Sequence, residues 1–284
     1  MSAIQRYLAP TALDDALDAL AEGEATILAG GTDVMVQAEA GRLRLKPTLV
    51  NIRRIAALRG IAVDGASIRL GALTTISELL ESGLVNQRLP VLAEAADQFA
   101  SPQIRNAGTI GGNICNASPA GDTLVPFIVL GAEVELTSKA GVRRLPLDQF
   151  FAGPGRTHRR PEELLTAVHV PAPAEGFVAR FAKFGTRPAL DISTVSVGIA
   201  GVRKHGLFKQ VRVAFGAVAP TPVRGPRTER AAEGRALDAA TIAAVAEAGR
   251  DEVKPISDVR ATAWYRKQMI HSLIKKVLTD VADA

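Results

Sequence analysis

Two pairs of adjacent glycines carry the most chemical information in this chain. The first lies in Ile27-Leu28-Ala29-Gly30-Gly31-Thr32-Asp33-Val34, after a short apolar run and before a helical stretch. Adjacent glycines take positive φ and let the backbone approach a ligand closely. Successive N–H groups then line a concavity for an anion, aided by the start of the following helix. Thr32 adds a hydroxyl donor. The second pair lies in Thr109-Ile110-Gly111-Gly112-Asn113, flanked by Thr and Asn, which also donate. Asp122 follows in Ser118-Pro-Ala-Gly-Asp122. A carboxylate near an anion is unfavourable unless it meets a donor, such as a ribose hydroxyl or a ring N–H. Alone, each glycine pair is equally a plain tight turn. Neither is a G-x-G-x-x-G fingerprint or a Walker A loop. Together they are what a diphosphate needs when it is gripped from two sides.

The rest of the composition narrows the chemistry. The only cysteine is Cys115, which excludes an internal disulfide and any cluster held by several thiolates of this chain. His158, His169, His205 and His271 are too scattered for a metal-ligand spacing. The net charge of +5 is spread along the chain, and only nine Phe, two Tyr and one Trp are present, so no nucleic-acid surface is expected. A mild positive charge suits an anionic cofactor or an acidic partner protein. The start lacks a signal-peptide pattern, and the longest apolar stretch, 124–132, is far too short to span a bilayer. These features predict a cytoplasmic protein with no membrane contact. No Ser-His-Asp, Cys-His or paired-carboxylate arrangement stands out, so catalysis by the chain's own side chains has little support.

Elements must position these residues. Thr11 to Asp14 read as a capping box opening a helix to about 21, followed by a buried strand over 25–29 and a helix over 34–40. Residues 49–52 read as a strand, and 61–63 and 67–72 as a hairpin around Asp64-Gly65. Thr75 to Glu78 form a second capping box, and 90–99 an alanine-rich helix. Residues 101–122 read as a long polar loop, of the kind that is functional or disordered. A helix is expected over 124–130 and strands over 132–138 and 164–170. After the linker 171–176 the pattern changes to an antiparallel meander over 178–184, 194–202 and 208–218. The chain is then helical from 239, with 261–281 the longest helix. Boundaries near 56 and 174 divide the chain into 1–56, 57–174 and 175–284.

The motif pair AGGTD and TIGGN, with NICNASPAGD after the second, resembles the FAD-binding medium subunit of the molybdenum hydroxylases, the family of xanthine dehydrogenase and aerobic carbon monoxide dehydrogenase. The resemblance covers essentially the whole chain. It implies an α+β fold: a two-subdomain FAD-binding fold of the vanillyl-alcohol-oxidase (PCMH) type, plus a C-terminal α/β domain with a three-stranded antiparallel sheet and helices. By resemblance, Ile27 to Val34 and Thr109 to Asn113 are the two diphosphate loops. Phe99 matches an aromatic near the flavin, Asp122 the aspartate on the cofactor, and Leu165 (or Thr166, one register on) a position near the adenine. Lys183 matches a lysine that contacts FAD, and Ile192 the aliphatic residue beside the isoalloxazine. Read without the resemblance, Phe99 is a core residue at a helix end, Lys183 a solvated strand residue, and Cys115 a small core residue rather than a nucleophile. The carbon monoxide dehydrogenase type would place histidine at 32 and tyrosine near 192; Thr32 and Ile192 lean toward the xanthine dehydrogenase type.

The implied function is electron transfer through FAD, from 2Fe-2S clusters of a small partner subunit to NAD+ or another acceptor. A large molybdenum-cofactor subunit completes a heterotrimer, single or dimerised. The single cysteine fits this division of labour and speaks against the 4-hydroxybenzoyl-CoA reductase variant, which carries an inserted cysteine-rich segment. Two other readings stand: a free-standing FAD-dependent oxidase or dehydrogenase, and a non-catalytic protein that binds a phosphate-containing ligand.

Overall fold

The structure, a computed structural model, describes residues 4–187 and 190–283. The chain begins with β1 (Arg6–Leu8), α1 (Leu13–Ala21), β2 (Ala25–Leu28), α2 (Val34–Glu39) and β3 (Thr48–Asn51). β3 lies between β1 and β2, parallel to both. α1 buries Ala16, Leu17, Ala19 and Leu20 against Val50, Ile52, Ile55 and Leu58. The expected capping box at Thr11 does not form: Ala12 is the N-cap and makes no side-chain cap bond. Leu13 packs against this core, so the apolar face sets where the helix starts. β2 is half-buried along its length rather than a fully buried strand.

Next come β4 (Ile61–Asp64), β5 (Ser67–Gly71), α3 (Ile76–Glu81), α4 (Gly83–Arg88), α5 (Pro90–Asp97), α6 (Pro102–Ala107), α7 (Ile110–Asn116) and α8 (Leu124–Val129). They are followed by β6 (Glu133–Ser138), β7 (Gly141–Pro146), β8 (Phe151–Gly153), β9 (Arg156–Thr157) and β10 (Leu164–Pro171). The sheet order is β4-β5-β10-β6-β7, antiparallel, with a bulge in β10 between Leu165 and Ala167. Its inner face and the helices enclose one core containing Ile76, Leu92, Ile114, Phe127, Val134 and Val168. The capping box at Thr75 forms as expected, with Thr75 Oγ1 accepting from Glu78 N–H at 3.1 Å and Glu78 Oε2 accepting from Thr75 N–H at 2.6 Å. The expected polar loop over 101–122 is largely helical instead. Ser101 caps α6 with Pro102 in its first turn, and Thr109 caps α7. Local cap chemistry and a buried face at Ile110 and Ile114 outweigh the low helix propensity of Gly and Asn.

The C-terminal part contains β11 (Phe177–Phe184), β12 (Val195–Lys204), β13 (Leu207–Gly216), β14 (Val223–Arg224), α9 (Pro226–Ala232), α10 (Ala239–Glu252) and α11 (Ala263–Ala282). Three long antiparallel strands carry a two-residue fourth strand at one edge. One face packs on α10 and α11 through Val195, Val197, Val213, Ile270 and Val277. Ala200 and Ala214 instead join the core of the preceding part. Gly198 permits this: a Cβ there would lie 2.8 Å from Val125 of α8. The edge of β11 is closed by α5, whose Glu94 Oε2 accepts the Phe181 N–H at 2.9 Å. Among the described residues, no helix is long and apolar enough to cross a membrane.

Candidate functional site

The first glycine turn lies at the carboxyl end of β2, where the chain leaves the sheet but has not yet entered α2. Gly31 has φ +77°, a conformation that favours glycine. Among the described residues, no protein acceptor takes the N–H of Gly30, Gly31, Thr32 or Asp33. Gly30 is required for a different reason: a Cβ there would sit 2.0 Å from the Ala107 carbonyl oxygen. The turn is therefore pressed against the junction of α6 and α7, and a Cβ on Gly108 would lie 3.6 Å from Thr32 Oγ1. Tertiary structure has placed the two glycine motifs, remote in sequence, against each other.

The second glycine pair is not the N–H nest that its spelling suggests. It occupies the first turn of α7, and its N–H groups are already used. Ile110 donates to Thr74 O, Gly111 to Ala72 O, Gly112 to Thr109 Oγ1 and Asn113 to Thr109 O, all at 2.9–3.0 Å. Gly111 is needed for close packing, since a Cβ would lie 2.8 Å from both Ala72 Cβ and Ala72 O. What this side can still offer a ligand is the Thr109 N–H, the Thr109 hydroxyl hydrogen and the Asn113 amide. Asn113 Oδ1 accepts from Thr123 Oγ1 at 2.8 Å, and no bond to a described residue uses its Nδ2. Ala72 also donates to Thr166 O, which brings the Leu165–Thr166 bulge beside this turn. The Leu165 side chain itself is part of the apolar core.

The remaining candidates meet where the C-terminal sheet joins the rest. Lys183 Nζ donates to Asp122 Oδ2 at 2.6 Å, to Gln98 O at 2.7 Å and to Asp191 O at 3.2 Å. Three ammonium hydrogens meet three acceptors. Ser193 Oγ donates to Asp122 Oδ1 at 2.6 Å. Lys183 is thus a buried ion-pair partner, not a solvated strand residue; both side chains are only 9% exposed. Burial pushes the Asp122 carboxyl above its ordinary value, while Lys183 and Ser193 pull it back. Phe99 follows Gln98 and Ile192 follows Asp191, so both sit at this cluster through their neighbours' carbonyls. Phe99 is half-buried against the core, and Ile192 is exposed. Thr194, next in sequence to Ser193, holds a buried hydroxyl with no partner among the described residues.

Two amide side chains join these regions. Gln37 Nε2 donates to Asp33 Oδ1 and to Asn116 Oδ1, both at 2.9 Å, tying the first glycine turn to the end of α7. From Asn113 the path continues through Thr123 to Asp122 and Lys183. The result is a continuous line of polar groups from the first glycine turn to the C-terminal sheet, an extended site rather than a compact pocket. Sequence reasoning missed Gln37, Asn116, Thr123, Ser193 and Thr194. The spacing of Asp33 and Gln37 on one helix face was the available signal. Burial holds Cys115 up at about 11, so its thiol stays protonated at neutral pH. Among the described residues, no group of three or more His, Cys, Asp or Glu is placed to hold a metal. The geometry suits binding a long, polar, anionic ligand, not nucleophilic attack.

Comparison with known proteins places the same regions in a common frame. A model described as the FAD binding domain in molybdopterin dehydrogenase matches residues 2–173, and one described as the CO dehydrogenase flavoprotein C-terminal domain matches residues 180–281. The xanthine dehydrogenase FAD-binding subunit of Escherichia coli O157:H7 is 37% identical over 281 residues, covering 98% of this chain and 96% of that protein. The carbon monoxide dehydrogenase medium chain of Hydrogenophaga pseudoflava is 32% identical, covering 96% of this chain and 95% of that protein. In the solved structure of carbon monoxide dehydrogenase from Hydrogenophaga pseudoflava, a chain superimposes with a TM-score of 0.93 at 32% identity, covering 98% of this chain and 97% of that one.

Proposed function

This chain belongs to the family of FAD-binding medium subunits of the molybdenum hydroxylases, and we propose that it serves as the electron relay between the 2Fe-2S clusters of a small partner subunit and NAD+ or another acceptor. It is a subunit of an oxidoreductase, and FAD is its cofactor. Bound FAD supplies chemistry that side chains lack: it takes up electrons singly and gives them up in pairs. In this reading the substrate is oxidised on a large molybdenum-cofactor subunit, which sets substrate choice. In this reading the heterotrimer works in the cytoplasm, in keeping with a single cysteine that can form no disulfide within the chain.

The protein's own contribution is binding and orientation. The open N–H row of Gly30 to Asp33, with Thr32 Oγ1, holds the diphosphate from one side; this is the observation that carries the proposal. Thr109 and Asn113 donate from the other side, and Ile27 to Ala29 and Val34 fix the turn between strand and helix. Leu165 borders the adenine end. Phe99 and Ile192 would hold the ring, with the Lys183–Asp122 pair fixing the backbone of Gln98 and Asp191 beside them. In this reading the chain divides at residues 56 and 174, so the two diphosphate loops belong to the first and second units and Lys183 and Ile192 to the third.

The test is direct. The purified chain is expected to be yellow or to take up added FAD; Gly31→Val is expected to abolish retention, and Gly112→Val to weaken it by displacing Thr109 Oγ1, 2.9 Å from a Cβ at that position. Colourless protein that takes up no FAD, or two variants that keep native affinity, would overturn the proposal. Co-purification of the three subunits, followed by stopped-flow reduction of NAD+, tests the electron path.

A further inference from the structure

Asn113 is the residue of the second glycine motif with an unused donor, and its usefulness depends on which way its amide faces. The two ends of a carboxamide differ only in hydrogen bonding, so orientation follows from the partners. Its partner on the protein side is Thr123, and Thr123 is fully buried. Thr123 Oγ1 lies 2.8 Å from Asn113 Oδ1 and makes no other bond to a described residue. If the amide were reversed, Asn113 would donate to Thr123, and the Thr123 hydroxyl hydrogen would be left buried without an acceptor. A buried hydroxyl without an acceptor is costly, so native structures avoid it. The arrangement that satisfies both groups gives the oxygen to Thr123 and turns Nδ2 outward.

The backbone of both residues is fixed independently. Asn113 N–H donates to Thr109 O within α7, and Thr123 O accepts from Phe127 N–H at the start of α8. Gly121 leaves the room needed between them, since a Cβ there would lie 3.3 Å from Asn113 Oδ1. Asn113 is half-buried, so its free Nδ2 is a donor held in place and open on one side.

We propose that Thr123 is a positioning residue for cofactor binding: its buried hydroxyl locks the Asn113 amide so that Nδ2 faces the FAD diphosphate. The inference rests on the FAD-binding reading above. The hydroxyl does not touch the cofactor; it removes the rotamer in which Asn113 would present an oxygen to a phosphate. Thr123→Val keeps the shape and deletes the donor, whereas Thr123→Ser keeps the donor.

The experiment uses the full chain stripped of flavin and titrated with FAD, with thermal unfolding of the flavin-free forms in parallel. Thr123→Val is expected to weaken FAD binding about tenfold, the effect of one misdirected hydrogen bond to a charged group. The flavin-free melting temperature should move little, and Thr123→Ser should restore most of the affinity. In an Asn113→Ala background, which loses affinity itself, Thr123→Val should add nothing. Parent-like FAD affinity in Thr123→Val, failure of Thr123→Ser to restore binding, or an undiminished effect in the Asn113→Ala background would overturn the inference. So would an affinity loss accompanied by an equal loss of flavin-free stability. If Thr123→Val does not fold, Thr123→Ser and Asn113→Ala decide: parent-like binding by Asn113→Ala overturns it. A parent chain that binds no FAD removes the functional reading itself, an outcome distinct from all of these.

Discussion

Gly30-Gly31 and Gly111-Gly112 are the same dipeptide, yet the fold uses them in opposite ways. In the first pair the backbone donors are open. In the second they are filled: Gly111 N–H by Ala72 O and Gly112 N–H by Thr109 Oγ1. The difference comes from where the helix begins. α2 starts at Val34, after the glycines, and leaves them in a turn whose N–H groups meet no acceptor among the described residues. α7 starts at Ile110, before its glycines, and lies against residues 72–74, which accept its first N–H groups. A glycine pair thus serves either to expose donors or to let two backbones touch, and the segment packed beside it decides which.

Substitutions can break this contrast, beginning with the contact that joins the two motifs. Gly30→Val would drive a side chain into the Ala107 carbonyl, whose oxygen lies 2.0 Å from the built Cβ. Backbone cannot yield as a flexible side chain does. The expected outcome is a loss of about 3 kcal/mol in chemical denaturation together with complete loss of FAD.

A crossed pair separates the two roles. Gly111→Ala meets Ala72 at 2.8 Å and is expected to lower stability by about 2 kcal/mol, while the chains that remain folded keep most of their FAD affinity. Gly31→Ala imposes a left-handed φ on alanine, with strain of about 1 kcal/mol, and crowds Leu28 at 3.3 Å. It should lose FAD affinity by more than tenfold at smaller cost to the fold. Urea unfolding of the flavin-free chains and FAD titration read the two quantities apart. If the two variants lose affinity equally, the contrast drawn from the N–H groups is wrong.

The smallest effect is expected at Gln37. Gln37→Leu removes the amide bridge between Asp33 and Asn116 and leaves two polar groups that water can reach. FAD affinity should fall by about fivefold, the equivalent of one neutral hydrogen bond, with flavin-free stability nearly unchanged. An unchanged dissociation constant would mean that packing at Gly30 alone holds the two motifs together.

Much of the architecture was legible in local pattern. The Asp64-Gly65 hairpin, the Thr75 capping box, the three long C-terminal strands and the last helix each arise from residues close in sequence, and each forms where expected within a few positions. The same locality misled at Thr11, where core packing fixed the helix start, and over 101–122, where polar and glycine-rich composition concealed two capped helices. It also misled over the second glycine pair, because the acceptor that fills Gly111 N–H, Ala72 O, lies about forty residues away in sequence.

By itself the sequence determined the family, through two glycine motifs and the segment that follows the second, and with the family the FAD cofactor. The motifs are properties of side chains and of backbone freedom, which are written residue by residue. Tertiary structure alone decided that the motifs face each other and that Lys183 saturates itself on Asp122, Gln98 and Asp191. It alone decided that one glycine pair donates while the other packs. Those outcomes depend on which distant acceptor comes within hydrogen-bond reach. That is settled only when the sheets and helices close on their common core.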